Sequence, residues 1–119
     1  MSIVLFGLKN CDTCKRAHAV LERAGLDEAG QGVTFVDIRV EANLADKVPA
    51  WLAAVGPDKL VNKRSTTWRQ LSDAEKIKAD GDGAATLLIA NPTLIKRPVI
   101  ERGDEVFVGW SKDVSGALG

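Results

Sequence analysis

Two cysteines separated by two residues lie between a short apolar run and a helical pattern, and this arrangement constrains the fold most. Cys11-Asp12-Thr13-Cys14 follows the run Ile3–Gly7 and holds both cysteines of the chain. A strand that ends at a CxxC opening a helix puts the first thiol among unpaired backbone N–H groups at the positive end of the helix dipole. That environment favours a thiolate, and a second thiol one turn later can resolve a mixed disulfide. The arrangement predicts redox chemistry, with Cys11 as the nucleophile.

Other uses of a cysteine pair fit the sequence less well. Zinc needs two further ligands, and the chain offers one histidine, His18, so the fourth ligand would have to be a carboxylate. A c-type haem requires histidine directly after the second cysteine, where Lys15 stands. A disulfide across so short a loop restricts the unfolded chain little. Two buried, unreactive thiols remain an alternative, because free cysteine is often part of a core.

Length and charge set the class of protein. At 119 residues the chain is the size of one domain with a single hydrophobic core. Its 16 basic and 16 acidic residues cancel, so no net field attracts nucleic acid or a membrane surface. The sequence has neither a signal-like start nor a membrane-length apolar run. We therefore expect a cytoplasmic monomer without a bound metal or cofactor, in which CxxC cysteines are mostly reduced.

The first third of the chain has the pattern of a βαβ unit. A strand-length apolar run is followed by helical spacing from Thr13, which Gly25 ends. After a turn at residues 30–32, the β-branched and aromatic run Val33–Ile38 predicts a second strand. Strand, crossover helix and strand over this length imply parallel pairing.

The rest of the chain changes from helical to hairpin patterning. Helices are predicted over Leu44–Val55, Ser72–Lys78, Ala84–Ala90 and Lys112–Leu118, and a β-hairpin turns at Arg102-Gly103-Asp104. Residues 80–83 lack the carboxylate spacing of a calcium loop and predict a solvated turn. Together with the CxxC, this order predicts one α/β domain over residues 1–119: a thioredoxin-like fold, with a mixed four-stranded sheet and a helical insert over about residues 43–91.

The segment Ile95-Lys96-Arg97-Pro98 precedes the hairpin and carries a second chemical signal. Proline is tolerated at the start of a strand, and an X–Pro bond in a tight turn is the usual place for a cis peptide, so we expect Arg97–Pro98 to be cis. In a thioredoxin-like fold this loop lies against the CxxC. Arg97 would then lower the pKa of Cys11 and hold an anionic substrate. The alternative is a solvated pair of basic residues before an edge strand.

Residues 62–69, Asn-Lys-Arg-Ser-Thr-Thr-Trp-Arg, form a third segment with a possible chemical role. Basic and hydroxyl donors between two helical stretches suit a carboxylate or phosphate ligand, and loops often carry function. The alternative is a bare loop in which Thr67 caps the next helix and Trp68 packs inward.

These three segments together resemble the ArsC/Spx/YffB family. The first of them covers residues 7–17, Gly-Leu-Lys-Asn-Cys-Asp-Thr-Cys-Lys-Arg-Ala. The K-N-C-D-T and T-T-W-R motifs are most similar to those of the YffB-like branch. The resemblance covers nearly the whole chain. It implies a thioredoxin-like fold with a helical insert, Cys11 as nucleophile, and a reductase linked to glutathione or glutaredoxin, with glutathione as co-substrate.

Matching the motifs residue by residue extends the site. Catalytic roles are implied for Cys11, Cys14 and Arg97, and substrate-binding roles for Asn10, Thr13, Lys15, Arg64 and Pro98. Arsenate reductases carry a further arginine after the hairpin, where this chain has Gly109-Trp110-Ser111. Without this arginine, a site in this chain would bind arsenate more weakly. We therefore expect a different substrate, either a small anion or a thiol.

One residue beside the nucleophile and one alternative function complete the expectations. Asp12 should raise the pKa of Cys11 and oppose Lys15 and Arg97, so we expect a pKa that is lowered but not extreme. The alternative function is a Spx-like regulator, in which the cysteine pair is a redox switch and the insert binds RNA polymerase. The T-T-W-R wording favours the reductase.

Overall fold

The structure is a computed structural model that describes residues 3–23, 33–40, 42–79 and 83–118. It divides into two compact units. The first combines the described residues up to Ala42 with those from Arg97 onward, and the second is Asn43–Lys96. The insert expected over about residues 43–91 falls within the second unit. The turns expected at residues 30–32 and 80–82 lie outside the described residues.

The first unit is built on a mixed sheet. Its four strands run in the order β2-β1-β3-β4, with β1 parallel to β2 and antiparallel to β3. The strands are β1 (Ile3–Gly7), β2 (Val33–Asp37), β3 (Val99–Arg102) and β4 (Glu105–Val108). This arrangement confirms the expected thioredoxin-like α/β fold.

The β3–β4 hairpin turns more tightly than the sequence suggested. Arg102 belongs to β3 and pairs with Glu105 of β4, which leaves a two-residue turn. Gly103, the first turn residue, has a φ of 60°, in the left-handed region that suits glycine.

A helix packs on this sheet because its apolar residues recur at helical spacing. Helix α1 (Asp12–Arg23) places Ala17 and Leu21 in a fully buried cluster with Leu5 of β1 and Ile100 of β3. Leu5 pairs with Ile100 across the sheet. Burying a leucine-sized side chain stabilises the fold by about 1.5–3 kcal/mol, so this cluster holds α1 against the sheet.

The second unit is helical. Its elements are α2 (Leu44–Val55), α3 (Pro57–Leu60), α4 (Thr66–Gln70), α5 (Asp73–Lys78), α6 (Ala84–Ala90) and a 3-10 turn at Pro92–Leu94. Trp51 of α2 is fully buried. Ser72 begins α5 with a capping box, because its hydroxyl accepts the Glu75 amide while the Glu75 carboxylate accepts the Ser72 amide. The last helix, α7 (Lys112–Leu118), belongs to the first unit and follows the β3–β4 hairpin.

The basic segment at residues 62–69 is partly helical, so the alternative of a bare loop with Thr67 as a cap is wrong. Ser65 is the cap: its side chain accepts the Trp68 amide, and α4 begins one residue later. The Thr67 hydroxyl instead shares a hydrogen bond of 2.7 Å with Thr93. Trp68 is half-buried, with the ammonium groups of Lys63 and Lys76 each within 6 Å of its ring.

Candidate active site

Cys11 occupies the N-cap position of α1. Its amide donates to the Leu8 carbonyl at 3.1 Å, which closes the turn after β1, and its carbonyl accepts the Lys15 amide at 3.0 Å, the first bond of the helix. The Cys14 amide donates to the Cys11 sulfur. A side-chain oxygen usually accepts this bond at an N-cap, so here the sulfur takes the place of serine or aspartate oxygen. The first turn of the helix thereby points the N–H of Cys14 at the Cys11 thiol.

Cys14 lies behind Cys11 with no exposed surface. The reason is the close approach of α1 to the end of β1 at Gly7. A Cβ atom at residue 7 would lie 2.6 Å from the Cys14 sulfur, so only glycine fits without a shift. The Leu8 amide donates to the Cys14 sulfur. Gly7 and Leu8 therefore hold the second thiol, although the sequence alone assigned them no role. The available signal was a glycine at the end of β1, four residues before Cys11.

Arg97 reaches the same thiol from the segment before β3. The guanidinium is half-buried and donates a hydrogen bond to the Cys11 sulfur. The Arg97–Pro98 peptide bond is cis, as the sequence predicted. Pro98 is buried, and its carbonyl accepts the Gly109 amide at 2.8 Å, which ties this segment to the end of the hairpin. The structure thus brings together three of the predicted residues, Cys11, Cys14 and Arg97.

The pKa values of the two thiols shift in opposite directions. Burial raises the pKa of Cys11, but donation from the Cys14 side chain and amide, and the hydrogen bond and charge of Arg97, outweigh burial and lower it. Burial raises the pKa of Cys14 to about 12, aided by its hydrogen bond and proximity to Cys11. As pH rises, Cys11 therefore loses its proton before Cys14, and Cys11 is the thiol disposed to become the thiolate.

The remaining predicted site residues lie in two places. In the first unit, Asn10 and Lys15 are exposed on either side of Cys11 in sequence, and Thr13 is half-buried in the first turn of α1. Asp12 is exposed at the start of the helix, where an acid favours the helix dipole. Arg64 is exposed in the second unit, and its amide donates to the Asn62 side chain at 3.1 Å. Its role in substrate binding stays a prediction.

Arg64 lines a basic concavity of about 480 Å³ that belongs entirely to the second unit. The other lining residues are Asp58, Val61, Asn62, Lys63 and Lys96. Three cations against one carboxylate make this concavity suitable for an anion.

Metal-ligand clusters and membrane-length apolar helices are both absent from the described residues. In that part of the chain, no three His, Cys, Asp or Glu side chains converge as a metal site would require. None of its helices combines the length and apolar character needed to span a bilayer.

Comparison with known proteins places the chain in a family. The model of the ArsC family matches residues 6–118, which include the CxxC and the arginine–proline segment. The chain belongs to the ArsC family. A Haemophilus influenzae protein of uncharacterised function is 36% identical over 110 residues, 92% of each chain.

Solved structures agree over almost the full length. A YffB protein is 36% identical, covers 98% of both chains and superposes with a TM-score of 0.75. An arsenate reductase (ArsC) related protein from Brucella melitensis is 34% identical, with a TM-score of 0.70 and coverage of 98% of this chain and 93% of that one. The family and its arsenate reductase-like fold support a thiol-dependent reductase in general.

Proposed function

We propose that this ArsC-family protein reduces glutathione mixed disulfides, with Cys11 as the nucleophile and glutathione or glutaredoxin as the reductant. The observation that carries the proposal is the set of donors around one sulfur. The Cys11 thiol receives hydrogen bonds from the Cys14 thiol, the Cys14 amide and the Arg97 guanidinium. These donors stabilise a negative charge on sulfur, and the thiolate is the reactive form in thiol–disulfide exchange.

The reaction begins when the Cys11 thiolate attacks one sulfur of the mixed disulfide. The attacked sulfur is that of the glutathione half: the substrate S–S bond breaks, a new S–S bond joins Cys11 to glutathione, and the other half leaves as a thiolate. Its departure requires stabilisation of the new negative charge and then a proton. The guanidinium of Arg97, which offers five N–H donors, supplies the stabilisation beside the sulfur.

Resolution follows by attack of a second thiolate on the Cys11 adduct. An external glutathione thiolate releases reduced Cys11 and forms glutathione disulfide, so the net reaction converts one mixed disulfide and one glutathione into a free thiol and glutathione disulfide. Cys14 can also resolve the adduct, but burial and a pKa of about 12 make its thiolate scarce at neutral pH. We therefore assign the main resolving step to the external thiol.

Steady-state turnover with defined substrates tests this function. Glutathione mixed disulfides and arsenate are each offered with glutathione, with and without glutaredoxin, while glutathione disulfide formation is followed by a coupled NADPH assay. We expect turnover of mixed disulfides in the wild type, none in Cys11→Ser, and much of it retained in Cys14→Ser. Arg97→Ala should turn over mixed disulfides more slowly than the wild type, because it loses the guanidinium beside the Cys11 sulfur. Its matched control is Arg16→Ala, because Arg16 is exposed on α1.

The turnover assay and a test of RNA polymerase capture together separate the competing functions. Turnover of arsenate but of no mixed disulfide would identify an arsenate reductase and contradict the proposed substrate. A wild-type protein that turns over neither, and that captures RNA polymerase only after oxidation, would identify a redox-switched regulator instead. In that case Cys14→Ser would abolish the response to oxidant, because no intramolecular disulfide could form.

A further inference from the structure

A shallow groove in the first unit is lined by residues of α1 and its surroundings and is not used in the reaction as proposed. Its volume is about 270 Å³, and its lining residues are Lys9, Lys15, His18 and Phe35. The His18 and Phe35 rings lie 5.6 Å apart at an angle of 56°, so they form a largely apolar floor. The two lysines are exposed and add positive charge to it.

Helix geometry orients this groove relative to Cys11. Cys11, Lys15 and His18 are spaced i, i+4 and i+7 from the N-cap of α1, so they lie along one stripe of the helix. At 1.5 Å per residue, Lys15 lies about 6 Å and His18 about 10 Å along the axis from Cys11. An extended tripeptide spans at most about 10 Å. A small thiol joined to Cys11 therefore has the right length to lie along the stripe.

The charges near the groove favour an anionic occupant. The Nε2 atom of His18 lies 3.0 Å from a carboxylate oxygen of Glu22, so the Glu22 carboxylate is already paired at the end of the stripe farther from Cys11. Asp12 is exposed at the start of α1 and does not line the groove. Lys9 and Lys15 are the charged groups that do line it, at the end nearer the thiol. A carboxylate on the ligand would be attracted to these two ammonium groups, while an apolar body would cover the rings.

We propose that this groove is a subsite for the carboxylate-bearing body of the small thiol that exchanges with Cys11, and that it selects anionic thiols over neutral ones. The inference rests on the proposed function in one respect, that Cys11 exchanges with disulfides. In the step itself, the Cys11 thiolate attacks a disulfide, the half that becomes bonded to Cys11 occupies the groove, and the other half leaves as a thiolate. Lys9 and Lys15 bind that half before and after the exchange.

Two aromatic disulfides of similar size make the test independent of turnover. One is 5,5′-dithiobis(2-nitrobenzoate), which carries a carboxylate on each ring, and the other is the neutral 4,4′-dithiodipyridine. Each releases a coloured thiol when Cys11 reacts, and rates are measured by stopped flow in Cys14→Ser at pH 7 and repeated for the first phase of the wild type. The quantity compared between variants is the rate constant for the anionic reagent divided by that for the neutral one. A change in the pKa of Cys11 affects both rates and cancels in this ratio.

The variants remove the lysine charges and keep the chain length. For Lys9→Gln combined with Lys15→Gln we expect the ratio to fall about fivefold, the combined size of two exposed charge pairs. Arg16→Gln is the matched control, because Arg16 is exposed, lies next to Lys15 and does not line the groove. Its ratio should stay within about 1.5-fold of the parent, as for a weak exposed pair.

The outcomes separate the subsite from the proposed function. A ratio unchanged by the double lysine substitution would contradict the subsite. An equal fall in Arg16→Gln would show a general positive field around α1 and would contradict it also. If neither reagent reacts with Cys11 in any variant, the proposed nucleophile itself is wrong. A lowered ratio in a protein that lacks mixed-disulfide turnover would support the subsite and refute the substrate.

Discussion

Replacing Cys14 with alanine tests how the Cys11 thiolate is stabilised. The substitution removes the S–H donor and leaves in place the amide of residue 14 and the Arg97 guanidinium. Because the lost donor favours the charged form of Cys11, its removal must raise the pKa of Cys11. Cys14 is fully buried, so the change adds no surface charge and removes only one sulfur atom from the core.

The size of the effect follows from the strength of one hydrogen bond to a charged group. Such bonds contribute about 1.5–3 kcal/mol, and a thiol is a weak donor, so the lower end applies. At about 1.4 kcal/mol for each pKa unit, the Cys11 pKa should rise by about one unit. The thiolate fraction below that pKa should then fall about tenfold, and the labelling rate should fall by less, because a thiolate of higher pKa is more nucleophilic.

Iodoacetamide labelling against pH, with mass-spectrometric site assignment, measures this pKa. In the wild type, Cys11 should be labelled faster than Cys14 near neutral pH and should titrate below the ordinary thiol value of about 8.5. Cys14→Ser keeps a donor at the same position and is the control, with a Cys11 pKa closer to that of the wild type. Equal Cys11 pKa values in the wild type and Cys14→Ala would refute the role of the thiol donor.

Three further changes test the surroundings of the pair. Gly7→Ala should lower the free energy of unfolding in urea by about 1–3 kcal/mol, because its Cβ would overlap the Cys14 sulfur. Gly116→Ala is the control and should be neutral or stabilising, because a Cβ at residue 116 meets nothing within 4 Å. Equal effects of the two substitutions would contradict the packing argument. Arg97→Ala should slow Cys11 labelling at pH 7 more than Arg97→Lys does, because lysine keeps the charge without the planar donors; wild-type rates in both would remove Arg97 from the site. The folded-state pKa of Cys14 is raised to about 12, so the stability that this thiol contributes is fully present below its unfolded pKa of about 8.5 and is lost as pH rises toward 12. Unfolding of the wild type and Cys14→Ala across that range should show a steeper alkaline decline in the wild type.

The local features of the site could be predicted from the sequence because they depend on neighbouring residues. A strand, a CxxC and a helix in direct succession leave one arrangement for Cys11, at the helix N-terminus. The cis bond at Arg97–Pro98 and the approach of Arg97 to the thiol needed the fold as well, since the pairing of β1 with β3 brings the two segments together.

The second unit was less predictable because its short elements depend on tertiary contacts. Helix α4 has five residues, too few for an apolar period to be recognised. Ser65, Thr66 and Thr67 are all acceptable caps by residue type. The choice of Ser65 is accompanied by the Thr67–Thr93 hydrogen bond, which joins residues 26 positions apart and has no local signal.

Trapping the covalent intermediate tests the central claim most directly. Cys14→Ser is mixed with glutathione disulfide near neutral pH, and intact mass and peptide mapping locate any adduct before and after addition of glutathione. The account predicts one glutathionyl group on Cys11, released by glutathione with recovery of the free thiol, and no comparable adduct in Cys11→Ser, where the remaining thiol is buried. Failure of the adduct to form on Cys11, or an adduct that glutathione does not release, would contradict a glutathione-linked reductase with Cys11 as its nucleophile.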